Sequence, residues 1–104
     1  AGSADDNLSP VELGEQLTSR NACTTCHSVD GSILQGPSFQ GLFGSEAPLE
    51  SGETVTVDEN YIRESILEPQ AKIHEGFQPV MPSFAGTLDD NQINAIIEYI
   101  KTLE

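Results

Sequence analysis

Two thiols spaced two residues apart and followed directly by an imidazole, Cys23-Thr24-Thr25-Cys26-His27, constrain this chain more than any other stretch. The pattern is that of covalent c-type haem attachment, in which both sulfurs bond the haem vinyl groups and the histidine binds iron from one face. A fold built on such a motif packs its side chains around a cofactor whose position is set by covalent bonds. Taken alone, a C-x-x-C also suits a redox dithiol or half of a zinc site.

The rest of the chain weighs against those alternatives. Its 104 residues contain only two cysteines, so a four-thiolate zinc site is impossible. A mixed site would need His74 beside His27, and their separation matches no common finger spacing. A thioredoxin-like dithiol sits at a strand-to-helix junction, and no strand pattern precedes Cys23. One covalent haem c, carrying iron, is therefore the expected cofactor.

The length supports one domain with a small core. Aromatic residues are few and tryptophan is absent, so the haem is expected to complete that core. Seventeen acidic residues face four basic ones. The imbalance argues against nucleic acid or an anionic membrane surface as partner. It fits either plain solubility or steering of a partner with a positive patch. No apolar run approaches the roughly 20 residues that span a bilayer. Ala1 to Asn7 lacks the basic and apolar regions of a signal peptide. Residues 1–8 read as a flexible linker or tag remnant and residues 9–104 as the domain. Covalent haem attachment normally takes place outside the cytoplasmic membrane. An extracytoplasmic location is expected, in the bacterial periplasm or on the outer face of that membrane, with any membrane association through parts outside this chain.

Ser9-Pro10-Val11-Glu12 opens a first helix with a capping box and a proline at its first position, and the helix runs to about Asn21. From Val29 to Ala47 the chain is rich in Gly, Pro and Ser and reads as loop. Thr54 to Val57 alternates, which suggests a short strand in a hairpin turning near Gly52. Asp58 caps a second helix that ends before Pro69. The last helix begins near Asp89, with Gln92 three residues on, and carries Ile93, Ile96, Ile97 and Ile100 as an apolar stripe to Leu103. The expected class is all-α: three to four helices and long loops around one haem, with a small β-ribbon near residues 47–57.

An iron held by one histidine has an open face. The chain's single methionine, Met81, lies between Pro79 and Pro82, which stiffen the backbone on both sides. A rigid loop presenting a thioether suits a weak ligand bond that must be pre-positioned. Met81 is preferred as ligand over the ordinary role of methionine as core filler. His74 is the rival, but it sits between charged neighbours in a segment without comparable stiffening and reads as exposed. Pro37, ten residues after His27, suits the carbonyl that accepts the second imidazole N–H. An ordinary turn at Gly36-Pro37 reads equally well.

The ordered set of haem motif, Gly36-Pro37, Gly41-Leu42-Phe43-Gly44, Met81-Pro82 and a last helix with Tyr99 resembles class I cytochromes c across nearly all of the chain after Ser9. The run from Val57 to Phe84 is most similar to the haem c domain fused to subunit II of caa-type cytochrome c oxidases. The resemblance implies Cys23 and Cys26 as thioether anchors, His27 and Met81 as axial metal ligands, and Pro37 as carbonyl partner of His27. It implies packing of the first helix on the last through Gly14 and Tyr99. It also implies electron transfer, with no catalysis by the domain itself. Electrons would come from an upstream donor protein with a basic or apolar docking patch. They would leave for the copper centre of a terminal oxidase, which would make the chain that enzyme's electron-entry domain. A free-standing soluble cytochrome c, or a haem subunit of another respiratory complex, is the alternative. Two departures stand out. Thr18 occupies a place where an aromatic often stands, which predicts a thinner helix contact, and His74 stands where relatives often carry an apolar residue.

Overall fold

The computed structural model describes residues 8–104; the expected linker falls almost wholly outside them. Among the described residues, four helices and one two-stranded ribbon form the architecture. Helix α1 spans Pro10–Arg20, α2 Cys23–Cys26, α3 Glu59–Leu67 and α4 Asp90–Thr102, with strands β1 Glu46–Pro48 and β2 Thr54–Thr56 between α2 and α3.

The helix ends follow local chemistry. Ser9 Oγ accepts from the Glu12 amide at 3.2 Å while the Glu12 carboxylate accepts from the Ser9 amide at 3.1 Å, closing the capping box of α1. Asp89 and Gln92 do the same for α4 at 2.8 and 2.9 Å. Asp58 caps α3 through the Tyr61 amide at 2.8 Å, and the helix stops at Leu67, two residues before Pro69. Each such cap is worth about 1 kcal/mol because it satisfies amides that have no partner within the helix.

Helix α4 is the centre of the core. Ile93, Ile96, Ile97 and Ile100 are each at most 2 % exposed and pack with Leu17, Phe39, Val57, Ile62, Ile66 and Leu88. Burying each of these large side chains contributes roughly 1.5–3 kcal/mol. Gly14 lets α1 touch α4: a Cβ there would lie 2.7 Å from Tyr99 Cβ and closer still to the Ala95 carbonyl oxygen. The expected Gly14–Tyr99 contact is present. Thr18 beside it is completely buried and its hydroxyl donates to the Glu15 carbonyl at 2.8 Å. A back-bonded threonine thus fills space beside the helix crossing without leaving a polar atom unpaired.

The ribbon is antiparallel, with Glu46 opposite Thr56, Ala47 opposite Val55 and Pro48 opposite Thr54. Its turn closes through Gly52, whose φ of 94° explains the glycine. The expected loop therefore gives way to strand at Glu46, one residue before its predicted end. A further bridge joins Leu49 to His74, flanked by the Glu50 amide on the Ile73 carbonyl at 2.9 Å and the Glu75 amide on the Pro48 carbonyl at 2.8 Å. The His74 segment is thus fixed to the ribbon, contrary to the unstiffened loop expected there, and the side chain is half-buried. Pairing of residues 25 apart carries no periodic signal, which is why the chain pattern missed it. Among the described residues no helix is long and apolar enough to cross a membrane.

Candidate functional site: an apolar cleft lined by two thiols, an imidazole and a thioether

Helix α2 is a single turn entered through Ala22, whose φ of 59° is left-handed. Three-residue spacing on that turn sets Cys23 and Cys26 side by side. Both are free thiols and half-buried, and burial pushes the Cys23 thiol above its ordinary range. His27 leaves the helix in extended conformation, with its amide still bonded to the Cys23 carbonyl at 2.9 Å.

The chain after His27 folds back beneath the imidazole. The Gly36 amide donates to the Cys26 carbonyl at 2.9 Å and the Phe39 amide to the Ser28 carbonyl at 2.8 Å. This places the Pro37 carbonyl 2.8 Å from His27 Nδ1. A carbonyl can only accept, so Nδ1 carries the hydrogen and Nε2 keeps a free lone pair, the form in which imidazole binds metal. Phe39 stacks on the other flank, ring centroids 4.8 Å apart and planes 10° from parallel. Burial lowers the imidazole's proton affinity, partly offset by the Pro37 bond.

Gly36 was not singled out from the chain pattern beyond its place before Pro37. A Cβ at this position would lie 2.7 Å from His27 Nδ1 and nearer still to Cε1. Only glycine lets the backbone run against the ring face.

Met81 stands on the loop between α3 and α4. Its prolines are assisted by three bonds: Ser83 Oγ to the Leu67 carbonyl at 2.6 Å, the Phe84 amide to the Ile66 carbonyl at 2.9 Å, and Gln70 Nε2 to the Pro79 carbonyl at 2.8 Å. The loop is thereby sewn to the end of α3.

Cys23, Cys26, His27, Pro37 and Met81 all line one cleft of about 320 Å³, within the size range of cofactor sites. Its walls are mainly apolar, with Ile62, Ile66, Phe84 and Ile96 among them, and Lys72 is the one charged side chain in the lining. His74 and Tyr61 also reach it. Two thiols, an imidazole with Nε2 available, a thioether on a pinned loop and hydrocarbon walls are the donor set and surroundings that a covalently attached haem requires. The residues present fit the group.

Acidic residues outnumber basic ones by seventeen to four, and the few cations are occupied. Lys72 Nζ lies 2.5 Å from Glu64, and Lys101 lies 3.0 Å from Glu59 and 2.9 Å from Glu98. Arg63 bonds Asn94, and Arg20 bonds Gln16 at 2.8 Å. The formal charge of −13 therefore dominates the potential felt by an approaching protein.

Comparison with known proteins agrees with this geometry. The family model described as cytochrome c matches residues 11–104. The chain is 33 % identical over 96 residues to cytochrome c2 of Rhodoplanes tepidamans, covering 81 % of this chain and 93 % of that protein. It is 32 % identical over 99 residues to cytochrome c2 iso-1 of Magnetospirillum fulvum, covering 84 % and 96 %. Cytochrome c2 of Blastochloris viridis is 36 % identical over 101 residues, covering 85 % and 73 %.

Proposed function

The chain belongs to the cytochrome c family and carries one covalently bound haem c with iron, and we propose that it is a free-standing, diffusible, extracytoplasmic electron carrier in which His27 and Met81 are the axial ligands. The supporting observation is the convergence of Cys23, Cys26, His27 and Met81 on one apolar cleft. In this reading residues 9–104 are the haem domain.

When bound, the haem supplies a one-electron ferrous–ferric couple. Cys23 and Cys26 anchor it through thioethers. His27 offers Nε2, and the Pro37 carbonyl holds the ring in that tautomer and raises its basicity, since an N–H bonded to an acceptor leaves more electron density on the opposite nitrogen. Met81 would supply its thioether as the second iron ligand, which would leave no site for a substrate molecule. A thioether there favours the ferrous state more than a second imidazole would, which sets a higher potential. Ile62, Ile66, Phe84 and Ile96 keep water from the cleft and lower the local dielectric constant.

The relatives bear on the choice of setting. Cytochromes c2 match over most of their own length, which favours the free carrier over attachment to an oxidase subunit II. The oxidase reading rests on the resemblance of Val57 to Phe84 alone. The experiment is to purify the natural gene product from its host. A haem-bearing polypeptide of about this mass in the extracytoplasmic fraction, inert to carbon monoxide when reduced, is the expected result. A membrane-bound polypeptide with a copper-binding domain ahead of this one would overturn the carrier reading. Carbon monoxide binding would overturn the filled sixth position.

A further inference from the structure

One imidazole in the cleft lining has no part in the proposed ligand set. His74 lies there with its backbone clamped on both sides by the ribbon, through the Leu49 bridge and the flanking Glu50–Ile73 and Glu75–Pro48 bonds at 2.9 and 2.8 Å. Its ring meets the Phe77 edge with centroids 5.2 Å apart and planes at 69°. Among the described residues neither ring nitrogen has a hydrogen-bond partner. Its ring nitrogens keep contact with solvent in the open cleft, so a group that fills the cleft has to supply an acceptor in place of that water.

A haem brings such acceptors, because its two propionates are carboxylates that need donors wherever they leave bulk water. The lining offers neutral donors at Asn21, Gln35, Tyr61, Ser65 and Gln78, but few groups that can also carry a positive charge. It contains no Asp, Glu or Arg. Lys72, its one cation, is already 2.5 Å from Glu64. The Nδ1 hydrogen of His27 is taken by Pro37. Among the lining groups that can carry positive charge, His74 is the one whose nitrogens are uncommitted.

We propose that His74 is a haem-propionate partner, donating a ring N–H to a carboxylate of the cofactor and pairing with it when protonated, so that the charged edge of the haem is tied to the ribbon. The proposal rests on the haem site described above.

The charged and titratable groups near His74 are Glu75 beside it, Lys72 on its own segment, Glu50 and Glu53 on the ribbon turn packed against it, and Tyr61 on α3. Within the polypeptide alone, partial burial holds the imidazole below its ordinary value, and Glu75 opposes this only in part. A facing propionate acts in the opposite direction, so the sign of the shift in the holoprotein is diagnostic.

The test uses the haem-loaded protein. The His74 ring is followed by NMR in the ferrous state, and the reduction potential is measured from pH 5 to 8 for the natural chain and for His74→Gln. The ring is expected to titrate above the ordinary value of about 6.5. The potential is expected to fall with rising pH through the same range, because losing the imidazolium charge favours ferric iron. His74→Gln is expected to lose that dependence while keeping the absorption band of sulfur bound to ferric iron. A ring titrating at or below the ordinary value, or identical potential–pH curves for the two proteins, overturns the proposal. If the natural chain lacks the sulfur band and the variant loses a bound imidazole, His74 is itself a ligand. That outcome overturns both this proposal and the Met81 assignment, whereas the other outcomes leave the ligand set standing.

Discussion

Gly36 and His27 are fitted to each other: the imidazole lies where a side chain on Gly36 would begin, 2.7 Å from the position of a Cβ at its Nδ1 atom. The same turn delivers the Pro37 carbonyl to that nitrogen at 2.8 Å. The glycine provides the space and the proline the acceptor, so neighbouring residues fix the ring's position and its tautomer together.

Gly36→Ala should therefore act on the ring and not merely on the turn. The added methyl has to displace either the imidazole or the backbone, an overpacking cost of roughly 1–3 kcal/mol. Denaturant unfolding of the haem-loaded protein should show that loss, accompanied by a change in the paramagnetic resonance of the ferric iron as the imidazole rotates. An unchanged resonance with full stability would show that the loop relaxes freely.

Met81→Ala should leave the haem attached, since the thioethers to Cys23 and Cys26 do not depend on it. The weak band near the red end that reports sulfur on ferric iron should vanish, and the potential should fall. Carbon monoxide should then bind the reduced protein. Persistence of the band would reassign the sixth ligand.

Ser83→Ala removes the donor that holds the Met81 loop to the Leu67 carbonyl at 2.6 Å. The loss of one such bond is worth about 0.5–1.5 kcal/mol. The sulfur–iron band should survive at room temperature and fade at a lower temperature than in the natural chain, ahead of global unfolding. A band that fades only with global unfolding in both proteins would mean that the loop does not open separately.

Ile97→Ala addresses the helix pair at a distance from the cleft. Ile97 is 1 % exposed, and truncation at such a site costs about 2–5 kcal/mol through lost burial and the cavity left behind. Thermal unfolding should shift down while the visible spectrum at room temperature stays the same.

The acidic surface predicts the salt response. Reduction by a donor protein with a basic patch should slow as salt is added, because the screening length shortens to about 8 Å at physiological ionic strength. Stopped-flow rates across an ionic-strength series measure this. Acceleration by salt would mean that the contact face itself repels the donor.

Much of the fold can be read from the chain because its signals are local. Ser9, Asp58 and Asp89 announce helix starts through side chains that reach only three residues ahead. The isoleucine stripe of α4 announces a buried face. The five residues that line the cleft together could be picked out for the same reason, as a pentapeptide, a Gly-Pro turn and a methionine between prolines. What was missed involves chain segments far apart. The Ser83–Leu67 bond spans 16 residues, and the His74–Leu49 bridge spans 25. Such contacts depend on where the elements land and leave no spacing to recognise. The buried state of Thr18 belongs with them, because it is set by the crossing of α1 and α4 and not by anything in its own helix.

The bonds that sew the Met81 loop to α3 also bear on how fast an electron can move. Transfer is slowed when the atoms around a redox centre must shift to suit the new charge, and the slowest part of that shift belongs to whatever is loosely held. With Pro79, Ser83 and Phe84 each fastened to α3 or the turn after it, the sulfur has the same place to occupy before and after the charge changes. His27, gripped between Phe39 and Pro37, is equally constrained. With His27 and Met81 as the proposed ligands, both would be held on constrained segments, which would keep nuclear reorganisation small and leave the rate of exchange to the encounter with the partner.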